Sequence, residues 1–331
     1  MNKTNNSNRG KKAKTQRIRL IAGLCCIVVL LVACGMIGYN IYRTHERLKM
    51  VSGLQHMYQG GVTTTATAES TEPTPTPADA PANPQASNAP ANPQTSGEPA
   101  DAAEATAEAT PAPAFDADGN PIAHADFAPL MEINEHLVGW LDVADVISLP
   151  VVHHDNAYYL DHDFYGNWDN AGTVFINEVN TVWPADKHLL LHGHNMRDGS
   201  AFGRLKEKYS DLEFLKANPL VYFRLINEAD PTAYVPVAIF EASVSTGESS
   251  YYDIGNVFFD SDEEFVSYAQ TAVDRSQYVL PFDVQADDHL ISLITCSYGY
   301  NNGRFIVMCR ELREGETEEA VSELMQTAAK K

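Results

Sequence analysis

Cysteine is scarce in this 331-residue chain, and so is positive charge. Three of the five cysteines, Cys25, Cys26 and Cys34, fall inside one apolar segment near the N-terminus. Only Cys296 and Cys309 serve the remainder, 13 positions apart, which excludes a disulfide framework and any CxxC metal knuckle. Lys and Arg number 23 against 44 Asp and Glu, a formal net charge of −21. Such a chain lacks the basic patches that neutralise phosphate, so no nucleic-acid partner is expected.

Acidic residues are missing from residues 1–19, where Lys3, Arg9, Lys11, Lys12, Lys14, Arg17 and Arg19 stand, and charge of either sign is missing from residues 20–42. At about 1.5 Å per helical residue the uncharged run is long enough to cross a hydrocarbon core of about 30 Å. The basic cluster before it puts the N-terminus in the cytoplasm. The expectation is a single-pass membrane protein with an uncleaved signal anchor and an extracellular domain. Two other readings exist. "LVAC", residues 31–34, has the form of a lipobox in which Cys34 would be lipidated, and a secretory signal would be cleaved after a shorter apolar core. The apolar run continues past Cys34 through Met36, Ile37 and Tyr39, which favours the anchor.

Residues 43–125 read as a tether. The first part, 43–60, has the makings of a short helix; 61–125 is Ala, Pro, Thr, Glu, Asn and Ser with little to bury, so it cannot offset its ordering entropy.

The folded part is expected at 126–315, as one catalytic domain, with 316–331 as a loose helix or tail. "FAPLMEINEHLVGWLDV" places Leu130, Ile133, Leu137 and Trp140 at helical spacing, which predicts an amphipathic helix. Then come short β-branched and aromatic runs, from "ISLPVVHH" to "RFIVMCREL", bounded by turn residues. One helical pattern interrupts them, "SDEEFVSYAQTAVDRSQYV", with Ser261 and Glu264 spaced as a capping box. Seven or more short strands with one inserted helix predict a mainly β barrel or sandwich.

Within that frame, "HLISLITC" and "RFIVMCREL" flank a turn at Asn301, Asn302 and Gly303. As neighbouring antiparallel strands they bring Cys296 and Arg304 to one sheet edge. A thiol beside a guanidinium ionises more readily, the thiolate is the nucleophile, and the guanidinium can meet an oxyanion. The same two residues would also fit a buried thiol and an unrelated surface arginine. Cys309 alternates with Phe305 and Val307 and is expected in the core. A thiol nucleophile needs a proton donor for its leaving group, and "HLLLHGHNMRDGSAFGRL" holds His188, His192 and His194. Equal parity would put all three on one strand face and raises a metal site. No regular zinc motif and no fourth carboxylate accompany them, so no metal is expected. His194, at the strand end, is the candidate partner of Cys296.

Three stretches, in order, resemble the sortases, and within them class B: "VGWLDVADVISLPVVHHDNAYYLDHDFYGNWDNAGTVFINEVN", "HGHNMRDGSAFGRLKEKY" and "LITCSYGYNNGRFIVMCREL". The resemblance covers about 126–312. It implies a sortase-like closed β-barrel of about eight strands, N-terminal helices beside it, and one inserted helix before the penultimate strand. It assigns catalytic roles to His194, Cys296 and Arg304, with no metal or organic cofactor. The implied reaction is transpeptidation: a C-terminal sorting signal of a secreted protein is cut at a Thr carbonyl through a thioacyl-enzyme and passed to a primary amine of peptidoglycan or a pilin. A cysteine protease hydrolysing the same intermediate, and a non-catalytic surface binding protein on this scaffold, are the competing readings. By position, Thr295, Asn156, Ser200 and Tyr298 are candidate substrate-binding residues. Ser297 follows the cysteine where many class B members carry an acidic residue, a difference that bears on substrate preference. The tether also carries "NPQTS" at 92–96; Asn92 to Thr95 would be a weak mimic of an Asn-Pro-X-Thr signal.

Overall fold

The computed structural model describes the backbone of residues 4–69 and 114–331, and the side chains of 24–60 and 114–331. The expectations for residues 70–113, the Asn92–Thr95 stretch included, lie outside the described residues.

Helix α1 runs from Thr4 to Glu69 without a break. After a 3-10 turn at Ala125–Phe127 come α2 (Ala128–Met131), β1 (Leu137–Val143), β2 (Ile147–His153), α3 (Asn156–Tyr159), β3 (Val174–Ile176) and β4 (His188–His192). Then follow α4 (Leu205–Tyr209), α5 (Leu212–Ala217), β5 (Val221–Leu225) and β6 (Thr232–Ser243). The chain ends with α6 (Asp262–Arg275), β7 (Tyr278–Val279), β8 (Leu290–Ser297), β9 (Gly303–Glu311), α7 (Glu318–Met325) and β10 (Ala329–Lys330).

Eight strands close into a barrel in the order β1-β2-β3-β4-β8-β9-β6-β5. Closure comes from β1 pairing antiparallel with β5, Leu141 opposite Phe223. Two contacts are parallel, β2 with β3 and β4 with β8. The second of these sets β4, bearing the histidines, alongside β8, bearing the cysteine, with His192 level with Ile294. The inserted α6 stands before β8, the penultimate barrel strand. Its Ser261 side chain caps the helix by accepting from the Glu264 amide, while the Glu264 carboxylate reaches back to the Asp260 amide. Phe265, Ala269 and Ala272 are its buried face.

The predicted amphipathic helix at the domain's start is only α2. Leu137–Val143 is a strand instead, because Leu137, Val138, Trp140, Leu141 and Val143 are buried on both faces, a pattern that periodicity alone cannot assign to a helix or a strand. Gly139 permits the pairing: a Cβ there would stand 2.5 Å from the Arg224 carbonyl oxygen.

Two further boundaries differ from expectation. Residues 43–60, placed in the tether, continue α1 and pack on the barrel: Leu54 and Tyr58 are buried, and the Tyr58 ring stacks on Trp140 at 4.5 Å. Residues 114–125 are also seated, with the Ala114 and His124 amides bonded to the Asn227 and Ile226 carbonyls. At the other end, α7 is not a loose tail. Val321, Met325 and Ala328 are buried in the main core, and Glu316 forms two 2.7 Å bonds with the buried Arg310. The short amphipathic run is stabilised by packing that lies far away in sequence.

Residues 24–42 of α1 are all exposed, and this helix is long and apolar enough to cross a membrane.

Candidate active site

The β8–β9 hairpin places Cys296 and Arg304 as direct cross-strand partners. Asn302 makes the turn in the left-handed region, φ +49, where Asn is tolerated, and its side chain donates to Ser245 Oγ at 2.8 Å. Ser243 Oγ donates to the Asn301 carbonyl at 2.8 Å, so the turn is pinned to the end of β6. Cys296 and Arg304 are both half-buried. Arg304 Nη1 bonds the carbonyl of Gly303 at 3.1 Å.

His194 lies just past β4, and its neighbours on both sides grip β8. The Gly193 amide donates to the Ile294 carbonyl at 3.1 Å. Thr295 Oγ1 donates to the Gly193 carbonyl at 2.7 Å. Asn195 Nδ2 donates to the carbonyl of Cys296 itself at 2.8 Å. The imidazole is anchored by Nε2, 2.8 Å from the Leu160 carbonyl. A carbonyl only accepts, so Nε2 carries the proton in this contact and Nδ1 is the other nitrogen available for exchange. Leu160 follows the short helix α3, which Asp155 caps by accepting from the Ala157 amide at 2.7 Å. Gly172, at φ +61, lets the chain pass the Tyr159 and Leu160 carbonyls, where a side chain would collide.

The histidines divide by environment. His188 is fully buried with Nε2 2.8 Å from Ser292 Oγ, and burial pushes its pKa down to about 4. His192 bonds Asn177 Nδ2 through Nε2 at 3.1 Å, and burial, followed by the Arg304 charge, pushes it down to about 4. Both are neutral at physiological pH. The three histidines turn to three different partners and form no shared ligand set, and among the described residues no group of three or more His, Cys, Asp or Glu could hold a metal. Cys309 is buried in the core, and burial raises its pKa.

The substrate-binding candidates separate. Tyr298 is 88% exposed on the turn beside Cys296. Asn156 bridges α3 to the loop after β3, accepting from the Glu178 amide at 2.8 Å and donating to Asn177 Oδ1 at 3.2 Å. Thr295 is buried, and its hydroxyl is spent on Gly193. Ser200 bonds Asp198 and lines a cavity beneath α1. Sequence reasoning did not single out Asn195, Asn177 or Leu160. It also missed a cluster below the cysteine: Lys206 pairs with Glu241 at 2.6 Å, and both reach Ser297 Oγ. A carboxylate from β6 thus stands against the hydroxyl of the residue that follows Cys296.

No family model matches the chain. Sortase B of Listeria monocytogenes is 34% identical over 182 residues, which cover 54% of this chain and 70% of that protein. The chain belongs to the class B sortases. Sortase B of Staphylococcus aureus is similar at 22% identity over 191 residues, covering 56% of this chain and 75% of the relative. A Bacillus anthracis crystal structure described as similar to sortase B matches with a TM-score of 0.51 and 28% identity, over 61% of this chain and 89% of that one. The barrel with its N-terminal helices is the sortase fold, and this sortase is a class B cysteine transpeptidase.

Proposed function

We propose that this sortase is held at the outer face of a membrane by residues 20–42, and that Cys296, His194 and Arg304 carry the transfer of secreted proteins onto an amine. The observation that carries the reading is the Cys296–Arg304 pair with His194 clamped to the same strand through Gly193 and Asn195. Cys296 Sγ, as thiolate, attacks the carbonyl carbon of a Thr in a sorting signal. Arg304 holds the substrate backbone or the developing oxyanion. The C–N bond breaks, His194 gives its proton to the departing amine, and a thioester remains. A primary amine from a peptidoglycan cross-bridge or a pilin lysine then attacks the thioester. His194 takes the proton back, and the thiolate leaves. Tyr298 and Asn156 would line the path of the substrate; Thr295 serves by positioning Gly193.

The test is product analysis by mass spectrometry, with a sorting-signal peptide incubated with and without a primary amine. Amide-linked product in the presence of amine is the expected result. Hydrolysis alone in both conditions would make the chain a protease, and no cleavage in either would remove the catalytic reading.

A further inference from the structure

Among the described side chains of α1, Arg47 is the most buried charged one, and it faces neither water nor its own neighbours. Its residue exposure is 8%. Nε donates to Asp169 Oδ1 at 2.7 Å, Nη1 to Asp198 Oδ2 at 2.6 Å, and Nη2 to Asn170 Oδ1. Asp169 and Asp198 belong to two different loops, and both loops hold His194.

The first loop leads from Leu160. The Asp169 amide donates to the Asp161 carbonyl at 2.8 Å, and the neighbouring Leu160 carbonyl receives His194 Nε2 at 2.8 Å. The second is the loop of His194 itself. The Met196 and Phe202 amides both donate to the His194 carbonyl, at 3.1 and 3.0 Å, and Asp198 organises the stretch between by accepting from the Ser200 amide and hydroxyl. One guanidinium therefore fixes, from the anchor helix, the carbonyl that orients the imidazole and the loop that carries it. Arg43 and Thr44 assist at the same two carboxylates, at 3.1 and 3.0 Å. With Arg47 removed, Asp169 and Asp198 would face each other with the charge of Arg43 alone to offset them, and the two loops would part.

We propose that Arg47 is a positioning residue for His194, so that the helix leaving the membrane completes the active site as well as anchoring it. This rests on the reading of His194 as the proton donor. It goes further by making activity depend on a residue far from the substrate.

The experiment uses the full chain in phospholipid nanodiscs, comparing wild type with Arg47→Ala, Arg47→Lys and Tyr58→Ala. Tyr58 sits at the far end of the docked helix, stacked on Trp140, and tests helix seating without touching either loop. The probe is whichever peptide the wild type cleaves fastest in a library with Thr before the scissile bond. Misplacement of a catalytic group by about 1 Å can cost about 10²-fold. Arg47→Ala is expected to lose about tenfold or more in kcat with KM within about twofold, and Arg47→Lys to recover part of the loss. Hydrogen exchange supplies a second readout independent of substrate: the Met196 and Phe202 amides should exchange at least about tenfold faster in Arg47→Ala and at the wild-type rate in Tyr58→Ala. An unchanged kcat with unchanged exchange would overturn the proposal, as would an equal loss in Tyr58→Ala. If the alanine variant does not fold, Asp198→Asn takes its place with the same expectations. Faster exchange together with a His194→Ala variant of wild-type activity would instead overturn the catalytic role of His194 and leave the coupling standing.

Discussion

Cys296 and Arg304 stand opposite one another across the β8–β9 hairpin, and Arg304 is in turn opposite Ala242 on β6. The guanidinium therefore rises from a strand flanked on both sides, and only its side chain is free to adjust. Arg304→Ala is expected to lower kcat/KM about 10²–10³-fold, the range found when one oxyanion donor is removed. Arg304→Lys should recover little, because an ammonium offers a point charge without the planar fork. Steady-state kinetics of the three proteins, with melting curves to show equal folding, check both statements.

Asn195 offers a milder perturbation of the same geometry. Its side chain holds the Cys296 carbonyl and touches no reacting atom. Asn195→Ala removes one neutral hydrogen bond, worth about 0.5–1.5 kcal/mol, from the join between the histidine loop and β8. A fall in kcat of about tenfold with a melting temperature within a few degrees of wild type is expected.

His188 sets a pH limit on stability. Its folded pKa is depressed to about 4, while an unfolded histidine titrates near ~6.5. Between these values the unfolded chain binds more protons than the folded one, so the contribution is full above ~6.5 and is lost as pH falls toward 4. His192 acts in the same direction. The urea midpoint should fall between pH 7.5 and pH 4.5 by more in wild type than in His188→Gln, measured side by side.

Glu228 works in the opposite sense. Burial is the leading cause that raises its pKa to about 7, so the folded chain holds a proton there that the unfolded chain releases near ~4.3. Stability from this group is present below ~4.3 and is lost as pH rises toward 7. Glu228→Gln, which keeps an acceptor for the Leu225 amide, should raise the melting temperature at pH 8 and leave it nearly unchanged at pH 4.

The C-terminal segment contributes to the core. Arg310 is 1% exposed, and Glu316 is its bidentate partner. Glu316→Ala leaves a buried guanidinium with backbone acceptors only and is expected to cost about 1–3 kcal/mol, below the range for fully buried pairs because Glu316 itself is partly exposed. Chemical denaturation measures it.

The sequence carried the strand pair, the α6 cap and the Cys296–Arg304 edge in plain view, because each depends on residues near one another in the chain. Turn chemistry at Asn301–Gly303 is local, and strand parity follows from it. The rest depended on distance or on backbone. The apolar run of β1 is buried on both faces, so helical spacing and strand burial coincide there. Leu160 serves through its carbonyl, an atom that every residue has and no pattern marks. Arg47 meets its carboxylates 122 and 151 positions away, and nothing within residues 43–60 announces them. Thr295 and Ser200 were substrate-binding candidates by chain position alone, and their hydroxyls face Gly193 and Asp198.

The central claim is covalent: the acyl group passes through Cys296. Wild-type chain mixed with a sorting-signal peptide and quenched in acid should show, by intact and peptide mass spectrometry, an adduct on Cys296 that hydroxylamine releases, and Cys296→Ala should show neither adduct nor product. Transfer at the wild-type rate by Cys296→Ala, or an acyl adduct at another residue, would contradict the account.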